Sequence, residues 1–123
     1  MMKKTLLSIL LIFIVSMVGC NKKEGYDLQE KCGKRCEEFS KNYKEKYSLN
    51  KLSYTSHYNK KLNKCFILLE SFKIYNHHSL WEVNENKEYG FNEFGNIPTC
   101  WVIEKKCKST EEWDTLVRPL MTE

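Results

Sequence analysis

The first nineteen residues constrain this chain most, because their pattern is that of a leader rather than of part of a folded domain. Lys3 and Lys4 form a positive segment, and the apolar segment 6–18 follows it. That segment is shorter than the ~20 apolar residues of a membrane-spanning helix, and it matches the apolar region of a signal peptide. A short membrane anchor that stays uncleaved is the alternative. Removing nineteen of the 123 residues leaves 104, enough for one domain with a modest core.

The end of the leader indicates where it is cut. The segment Met17-Val18-Gly19-Cys20 resembles the bacterial lipobox, although Met17 replaces the usual leucine. The resemblance implies a cleaved signal peptide, 1–19, and a thioether-linked diacylglycerol on Cys20, often with a further acyl chain on its amine. Two or three chains anchor a protein stably, whereas a single chain binds a membrane only marginally. The resemblance therefore implies attachment to a membrane of the cell envelope.

Asn21 bears on which membrane that is. In enterobacterial lipoproteins, aspartate at the second mature position favours retention in the inner membrane. Asn21 therefore favours the outer membrane, with the protein facing the periplasm, if this organism sorts by the same rule. The sequence does not decide between anchoring in the inner and in the outer membrane.

Charge limits the expected partners. The net charge of +4 falls to +2 when Lys3 and Lys4 leave with the leader, which gives no indication of nucleic-acid binding. Two basic clusters, Lys60-Lys61-Lys64 and Lys105-Lys106-Lys108, could meet anionic headgroups or an anionic polymer, although solvated turns explain them better. We expect the membrane as one partner and an envelope protein or anionic polymer as a second, with the oligomeric state open.

Export would place the five remaining cysteines in an oxidising compartment, where disulfides form. Two disulfides use four of these cysteines, and the fifth keeps a free thiol. Cys32 and Cys36 are four residues apart on a predicted helix, and their parallel Cβ directions suit a mutual disulfide badly. We predict bonds from Cys32 to Cys65 and from Cys100 to Cys107, with Cys36 free. A bond from Cys36 to Cys65 is the close alternative.

A helix is predicted to begin after a polar tether, 20–26. Asp27-Leu28-Gln29-Glu30 has the form of a capping box. Apolar residues then recur at helical spacing and predict a face directed to the core, with a groove for a cofactor or partner as the alternative: Leu28, Cys32, Cys36, Phe39, Tyr43 and Tyr47.

The middle of the chain has the character of strands. Residues 52–58 alternate, residues 65–75 are apolar on both sides, and the polar segment 59–64 between them predicts a hairpin with the second strand central in its sheet. Further elements are expected in this order: a loop at 76–78, a short strand at 80–83, turns at 84–86 and 95–98, and a strand at 99–104.

A short helix should close the chain. Ser109-Thr110-Glu111-Glu112 is a second capping box, an apolar stripe follows it, and Pro119 should end or kink the helix. The fold class predicted is therefore α+β: an N-terminal helix, an antiparallel sheet of four or five strands and a short C-terminal helix, stapled by disulfides. Both helices are expected on one sheet face of a single domain, 27–123.

Several segments, taken together, resemble uncharacterised bacterial envelope lipoproteins: 57–68, 83–90, and 107–109 with 112–114. The resemblance implies export and a lipid anchor. It implies no activity, and it transfers no catalytic residue.

Motifs of enzymes are absent from the sequence. It contains no G-x-S-x-G, no H-E-x-x-H and no glycine-rich phosphate loop, and Cys32-x-x-x-Cys36 is not the C-x-x-C of redox proteins. We predict a non-enzymatic binding or structural module with no cofactor and no metal. The first alternative is a periplasmic thiol-redox or metal-handling protein, in which His57, His77 and His78 complete a site with the cysteines. A small protein inhibitor of an enzyme is the third.

Overall fold

A computed structural model describes the backbone of residues 2–72 and 76–123, and the side chains of residues 24–71 and 76–123. The chain order is a helix, six strands and a helix, which confirms the α+β class. The helices are α1 (Met2–Lys46) and α2 (Thr110–Thr122). The strands are β1 (Leu52–Asn59), β2 (Lys64–Phe72), β3 (Asn76–Glu82), β4 (Lys87–Glu93), β5 (Thr99–Val102) and β6 (Lys105–Lys106).

The strands form one antiparallel sheet in the order β1-β2-β3-β4-β5-β6, so each strand pairs with its neighbour in sequence. The predicted hairpin is present, with Tyr58 opposite Cys65 and Asn63 in the left-handed region at φ 51°. Asparagine adopts this conformation at a lower cost than most residues. β2 lies between β1 and β3, as its apolar run predicts, and it is buried on both faces because one face packs against α1 and the other against α2. The last three positions of that predicted strand, 73–75, lie outside the described residues.

Two strand predictions were wrong in their boundaries. The segment 76–78 is the start of β3 rather than a loop, because His77 and His78 pair with Ser71 and Glu70 of β2. The predicted strand 99–104 ends at Val102, because Ile103 has φ 59° and turns the chain into β6. The sheet therefore has six strands instead of four or five.

α1 does not begin at Asp27. Its backbone is helical from Met2 to Lys46, so the segment expected to be a tether, 20–26, is helical too. A capping box requires an extended residue at its first position, and α1 contains no proline that would interrupt the helix before Asp27. Glu30 instead pairs with Lys34 one turn on, at 3.1 Å.

α2 begins as predicted, with Ser109 as its cap accepting a hydrogen bond from the backbone N–H of Glu112 at 3.2 Å. Pro119 does not end the helix, which continues to Thr122. Contacts to β1 hold its last turn: the Asn59 amide donates to the carbonyls of Pro119 and Leu120 at 3.2 and 3.1 Å. These tertiary hydrogen bonds satisfy C-terminal carbonyls that a helix end leaves unpaired.

The helices lie on opposite faces of the sheet, so the prediction of one shared face was wrong. Alternation along β2 explains this, because Phe66 packs with Trp113 of α2 whereas Ile67 packs with Cys36 of α1. β2 is apolar on both faces and needs cover on both. α1 packs chiefly on β1 and β2, and α2 crosses the other face to reach both β1 and β5. The α1 face of β3, β4 and β5 is therefore left partly open.

Candidate functional site

The cysteines occupy three different environments. The side chain of Cys20, the expected lipid attachment site, lies outside the described side chains. Cys32 is bonded to Cys65, with 5.5 Å between their Cα atoms, and Cys100 is bonded to Cys107, with 5.0 Å. Cys36 is the free thiol, and it is fully buried. These are the expected pairings rather than the alternative bond from Cys36 to Cys65.

Three of the sulfur atoms form a cluster. The Sγ atoms of Cys32, Cys36 and Cys65 all lie within 4.8 Å of one another, because two cysteines one helical turn apart sit over the same position of β2. The Sγ atoms of Cys36 and Cys65 are 3.6 Å apart. Burial, and secondarily the nearby Glu82 carboxylate, raises the pKa of the Cys36 thiol from 9.0 to about 12. The thiol therefore stays protonated near neutral pH and is a poor nucleophile.

The histidines do not complete a metal site with this cluster. His57 contacts the backbone carbonyl of Glu123 at 3.1 Å, and His77 is hydrogen-bonded to the Ser71 hydroxyl. His78 faces the Glu70 carboxylate at 3.7 Å. Within the described residues, the set able to hold a metal consists of the three cysteines alone, two of which are joined in a disulfide.

The open part of the sheet forms a groove, which we call the aromatic groove. Its volume is about 470 Å³, within the usual size range of small-molecule sites. Its lining side chains come from the end of α1 and from β3, β4 and β5, together with Leu49 between α1 and β1: Tyr43, Tyr47, Leu49, His77, Glu88, Phe91 and Trp101. The groove exists because α1 crosses only β1 and β2 before it ends.

Aromatic rings form both walls of the groove. On the helix side, the ring centroids of Tyr43 and Tyr47 are 4.6 Å apart. On the sheet side, the His77 and Phe91 rings are 5.9 Å apart, and Phe91 pairs across the strands with Trp101. Rings at these separations pack favourably against each other. The walls are therefore held in place before any ligand binds.

Glu88 is the charged group of the groove. The Ser79 hydroxyl donates to its Oε2 at 2.9 Å, and the Trp81 indole N–H donates to the Ser79 Oγ at 2.6 Å. Burial raises the pKa of Glu88, and the hydrogen bond from Ser79 partly opposes that shift. The Glu88 carboxylate is thus oriented by Ser79, which is itself held by Trp81, a ring that packs against α1.

The other titratable side chains of the groove tend to be neutral. Burial lowers the pKa of His77, an effect that the charge of Glu93 partly offsets. Burial also raises the pKa of Tyr43, as do the neighbouring Tyr47 and Glu88. Both shifts favour the uncharged forms, which leaves the Glu88 carboxylate as the charged group among the side chains that line the groove.

Sequence reasoning found only part of this site. It placed Tyr43 and Tyr47 on a core-facing stripe, but Tyr43 is half-buried and Tyr47 is 44% exposed. It gave no role to Glu88, Phe91 or Trp101. The sequence does show aromatic residues on predicted strands. That pattern does not distinguish a core residue from a groove residue, because the position where α1 ends determines which of these rings stay uncovered.

The two basic clusters do not form one surface. Lys60 donates its backbone N–H to the carbonyl of Glu123, at the end of α2, and Lys61 pairs with the Glu123 carboxylate at 3.5 Å. Lys64 is paired with Glu85. The cluster 105–108 lies at the opposite end of α2, where the backbone N–H of Lys108 donates to Glu112. The clusters are therefore separated by the length of that helix.

No helix in the part of the chain that the structure describes combines the length and the apolar character needed to cross a bilayer.

Comparisons with known proteins give no match: no protein-family model fits the chain, and no curated protein or solved structure is significantly similar to it. The resemblance to envelope lipoproteins therefore stays an expectation that rests on the residues quoted for it.

Proposed function

We propose that this chain is an exported bacterial lipoprotein, anchored through lipid on Cys20 to the outer membrane and facing the periplasm. Its folded domain acts there as a non-enzymatic binding module, with the aromatic groove as its ligand site. The observation that carries the binding role is the groove itself, in which aromatic rings surround a single oriented carboxylate.

The groove is suited to binding rather than to catalysis. Rings supply large contact areas at a low cost in conformational entropy, and aromatic side chains dominate the energetics of many binding sites. Glu88 is hydrogen-bonded to a serine that is itself held by an indole, an arrangement that fixes an orientation.

The length of α1 fits an anchored binding module. Twenty-three residues separate Cys20 from Tyr43 along a continuous helix, which corresponds to about 35 Å at 1.5 Å per residue. A lipid on Cys20 would therefore allow the aromatic groove to extend as far as about 35 Å from the membrane surface, where solutes of the envelope reach it.

The anchor is tested by expressing the full chain in a diderm host and measuring the intact mass of the membrane-extracted protein. We expect a chain that begins at Cys20 and carries the added mass of two or three acyl groups. A Cys20→Ala variant serves as the control and should keep its leader. An uncleaved wild-type chain without acyl mass would overturn the anchored assignment.

The groove is tested with 2-phenylethanol, a neutral probe with one ring, titrated into the protein while the indole N–H signal of Trp101 is followed by NMR. We expect a saturable shift that Phe91→Ser weakens about tenfold, because a buried ring contributes more than 1 kcal/mol of contact. Ile97→Ser is the matched control, since Ile97 is 82% exposed and lies outside the groove. Equal weakening by both variants would contradict a groove site.

A thiol or metal-handling role is the second candidate, and the three clustered sulfur atoms favour it. Three thiolates suit a soft metal ion such as Cu(I), but only after the bond between Cys32 and Cys65 is reduced. Titration of the reduced and the oxidised protein with Cu(I) distinguishes the two roles. Binding restricted to a chemically reduced protein would leave the aromatic groove as the functional site of the exported form.

A further inference from the structure

We infer that the ligand of the aromatic groove is a small organic amine, bound as a cation with its charged nitrogen against Glu88 and its apolar body on Phe91 and Trp101. This inference rests on the proposed function of the groove as a binding site and adds the chemical class of the ligand.

The first argument is the missing counter-charge of Glu88. Within the described part of the chain, no lysine, arginine or histidine lies within ion-pair distance of this carboxylate. The adjacent Lys87 is directed elsewhere, with its Nζ over the Tyr89 ring at 5.4 Å. The hydrogen bond from Ser79 replaces only part of the hydration that this partly buried carboxylate loses, and a bound cation would supply the missing counter-charge.

The second argument is the charge of the groups around Glu88. Glu93 lies on the same face of β4, opposite His77 in the strand pairing, and places a second carboxylate beside the groove. Tyrosine side chains carry no positive charge, and burial favours the neutral form of His77. At the rim, the Nζ of Lys46 lies 5.4 Å from the centroid of the Tyr47 ring. The groove floor is therefore acidic, which favours a cation and disfavours an anionic ligand.

The third argument is the aromatic lining. Ring faces carry negative electrostatic potential and attract ammonium groups placed within ~6 Å of their centroids. Lys46 already makes such a contact at one rim of the groove. Phe91 and Trp101, side by side on β4 and β5, offer two more rings on the opposite wall.

Size and position favour a small molecule over a polypeptide. The volume of about 470 Å³ accommodates a ligand with one or two rings or an equivalent aliphatic body. The groove lies on a sheet face between α1 and β5, whereas strand-like peptides add to an exposed sheet edge. The groove is walled on two sides. A free amine can enter it, whereas an amine within a polypeptide would also need room for the flanking peptide chain.

The test compares two probes of nearly equal size, 2-phenylethylamine, which is a cation at pH 7, and 2-phenylethanol, which is neutral. The full-length protein is titrated with each while the indole N–H signal of Trp101 is followed by NMR. We expect the amine to bind about tenfold more tightly than the alcohol, the effect of one ion pair at a partly buried site. Glu88→Gln should abolish this preference and leave the affinity for the alcohol unchanged.

Glu111→Gln is the matched control, because Glu111 is an exposed carboxylate in the first turn of α2, on the opposite side of the sheet. It removes the same charge and should leave both affinities unchanged. A loss of preference in this variant equal to that in Glu88→Gln would mean that net charge, not the groove, attracts the amine.

A pH series on the wild-type chain provides a readout that needs no variant. Protonation of Glu88 removes its charge, so the affinity for the amine should fall as the pH is lowered from 7, while that for the alcohol stays nearly constant. Because burial raises the pKa of Glu88, the fall should begin at a higher pH than for an ordinary glutamate. Protonation of His77 or Glu93 would also weaken amine binding. The contribution of Glu88 is therefore the difference between the pH dependence of the wild-type affinity and that of Glu88→Gln.

The outcomes separate the two proposals. If amine and alcohol bind equally, or if Glu88→Gln keeps the preference, the cationic class is wrong and the groove remains a binding site. If neither probe shifts the Trp101 signal, the groove is not a site for small molecules and both proposals fail. A preference for the amine that is lost in Glu88→Gln and at low pH supports both the binding site and the cationic class of its ligand.

Discussion

At the scale of the residue, Cys36 is the side chain whose chemistry the fold changes most. Its sulfur lies 3.6 Å from that of Cys65, in contact with a disulfide that a thiolate could attack. Burial raises its pKa to about 12, so the thiol carries no charge at neutral pH and the exchange has no nucleophile. The pairing of Cys65 with Cys32 is therefore maintained although a second thiol touches it.

This proximity predicts a rescue. In Cys32→Ser, Cys65 loses its partner, and we expect oxidation to join Cys65 to Cys36 because their sulfur atoms are already adjacent. The native disulfide has a sequence separation of 33, and the substitute bond closes a loop almost as long. Most of the ~3 to 4 kcal/mol that the crosslink contributes to stability should therefore be kept. Peptide mapping of the oxidised variant and its urea denaturation midpoint measure the two effects.

The control is the double variant Cys32→Ser/Cys36→Ser, which cannot form the substitute bond. It should lose the full contribution of the crosslink and show one free thiol at Cys65. If the single variant has the same stability as the double variant and the same free thiol, the proposed rescue does not occur.

At the scale of the element, the contact between β4 and α2 depends on one glycine. A Cβ atom at Gly90 would lie 3.1 Å from the carbonyl oxygen of Trp101 and 3.2 Å from the Trp113 ring. The tryptophan is buried and central to the α2 face of the sheet, so it has little room to move. Gly90 therefore allows α2 to sit as close to the sheet as it does.

Gly90→Ala should destabilise the protein by about 1 to 2 kcal/mol, the usual cost of an extra methyl group in a packed core. Gly33→Ala is the matched control, because no atom lies within 4 Å of the position where its Cβ would be. That change lies in α1 and should stabilise by about 0.5 to 1 kcal/mol through helix propensity. Thermal unfolding of both variants followed by circular dichroism measures the contrast, and equal effects would show that Trp113 adjusts freely.

At the scale of the whole molecule, each helix covers a different part of the sheet. α1 is joined to β2 through the disulfide between Cys32 and Cys65, and α2 spans the other face from the hairpin of Cys100 and Cys107 to β1. A domain of this size has a small core, so crosslinks that join elements contribute a large share of its stability. The same arrangement leaves β3, β4 and β5 partly open on the α1 side, and the aromatic groove forms there.

Features that depend on local patterns could be predicted from the sequence. The capping box at Ser109, the hairpin at 59–64 and the doubly apolar β2 follow from residue type and spacing over a few positions, and the structure has all three. The α+β class followed from these elements, whereas disulfide geometry excluded a bond between Cys32 and Cys36 but left open which of the two pairs with Cys65. Local patterns suffice here because hydrogen bonding and side-chain direction repeat with the period of each element.

The surfaces that the helices cover depend on long-range packing and could not be predicted from local patterns. The continuation of α2 past Pro119 depends on Asn59, sixty residues earlier in sequence. The two helices occupy opposite faces of the sheet, and α1 ends before it covers β3, β4 and β5. An aromatic side chain on a strand becomes core or groove according to what packs over it, and no local pattern encodes that neighbour. Glu88, Phe91 and Trp101 therefore become a candidate site only once the place where α1 ends is known.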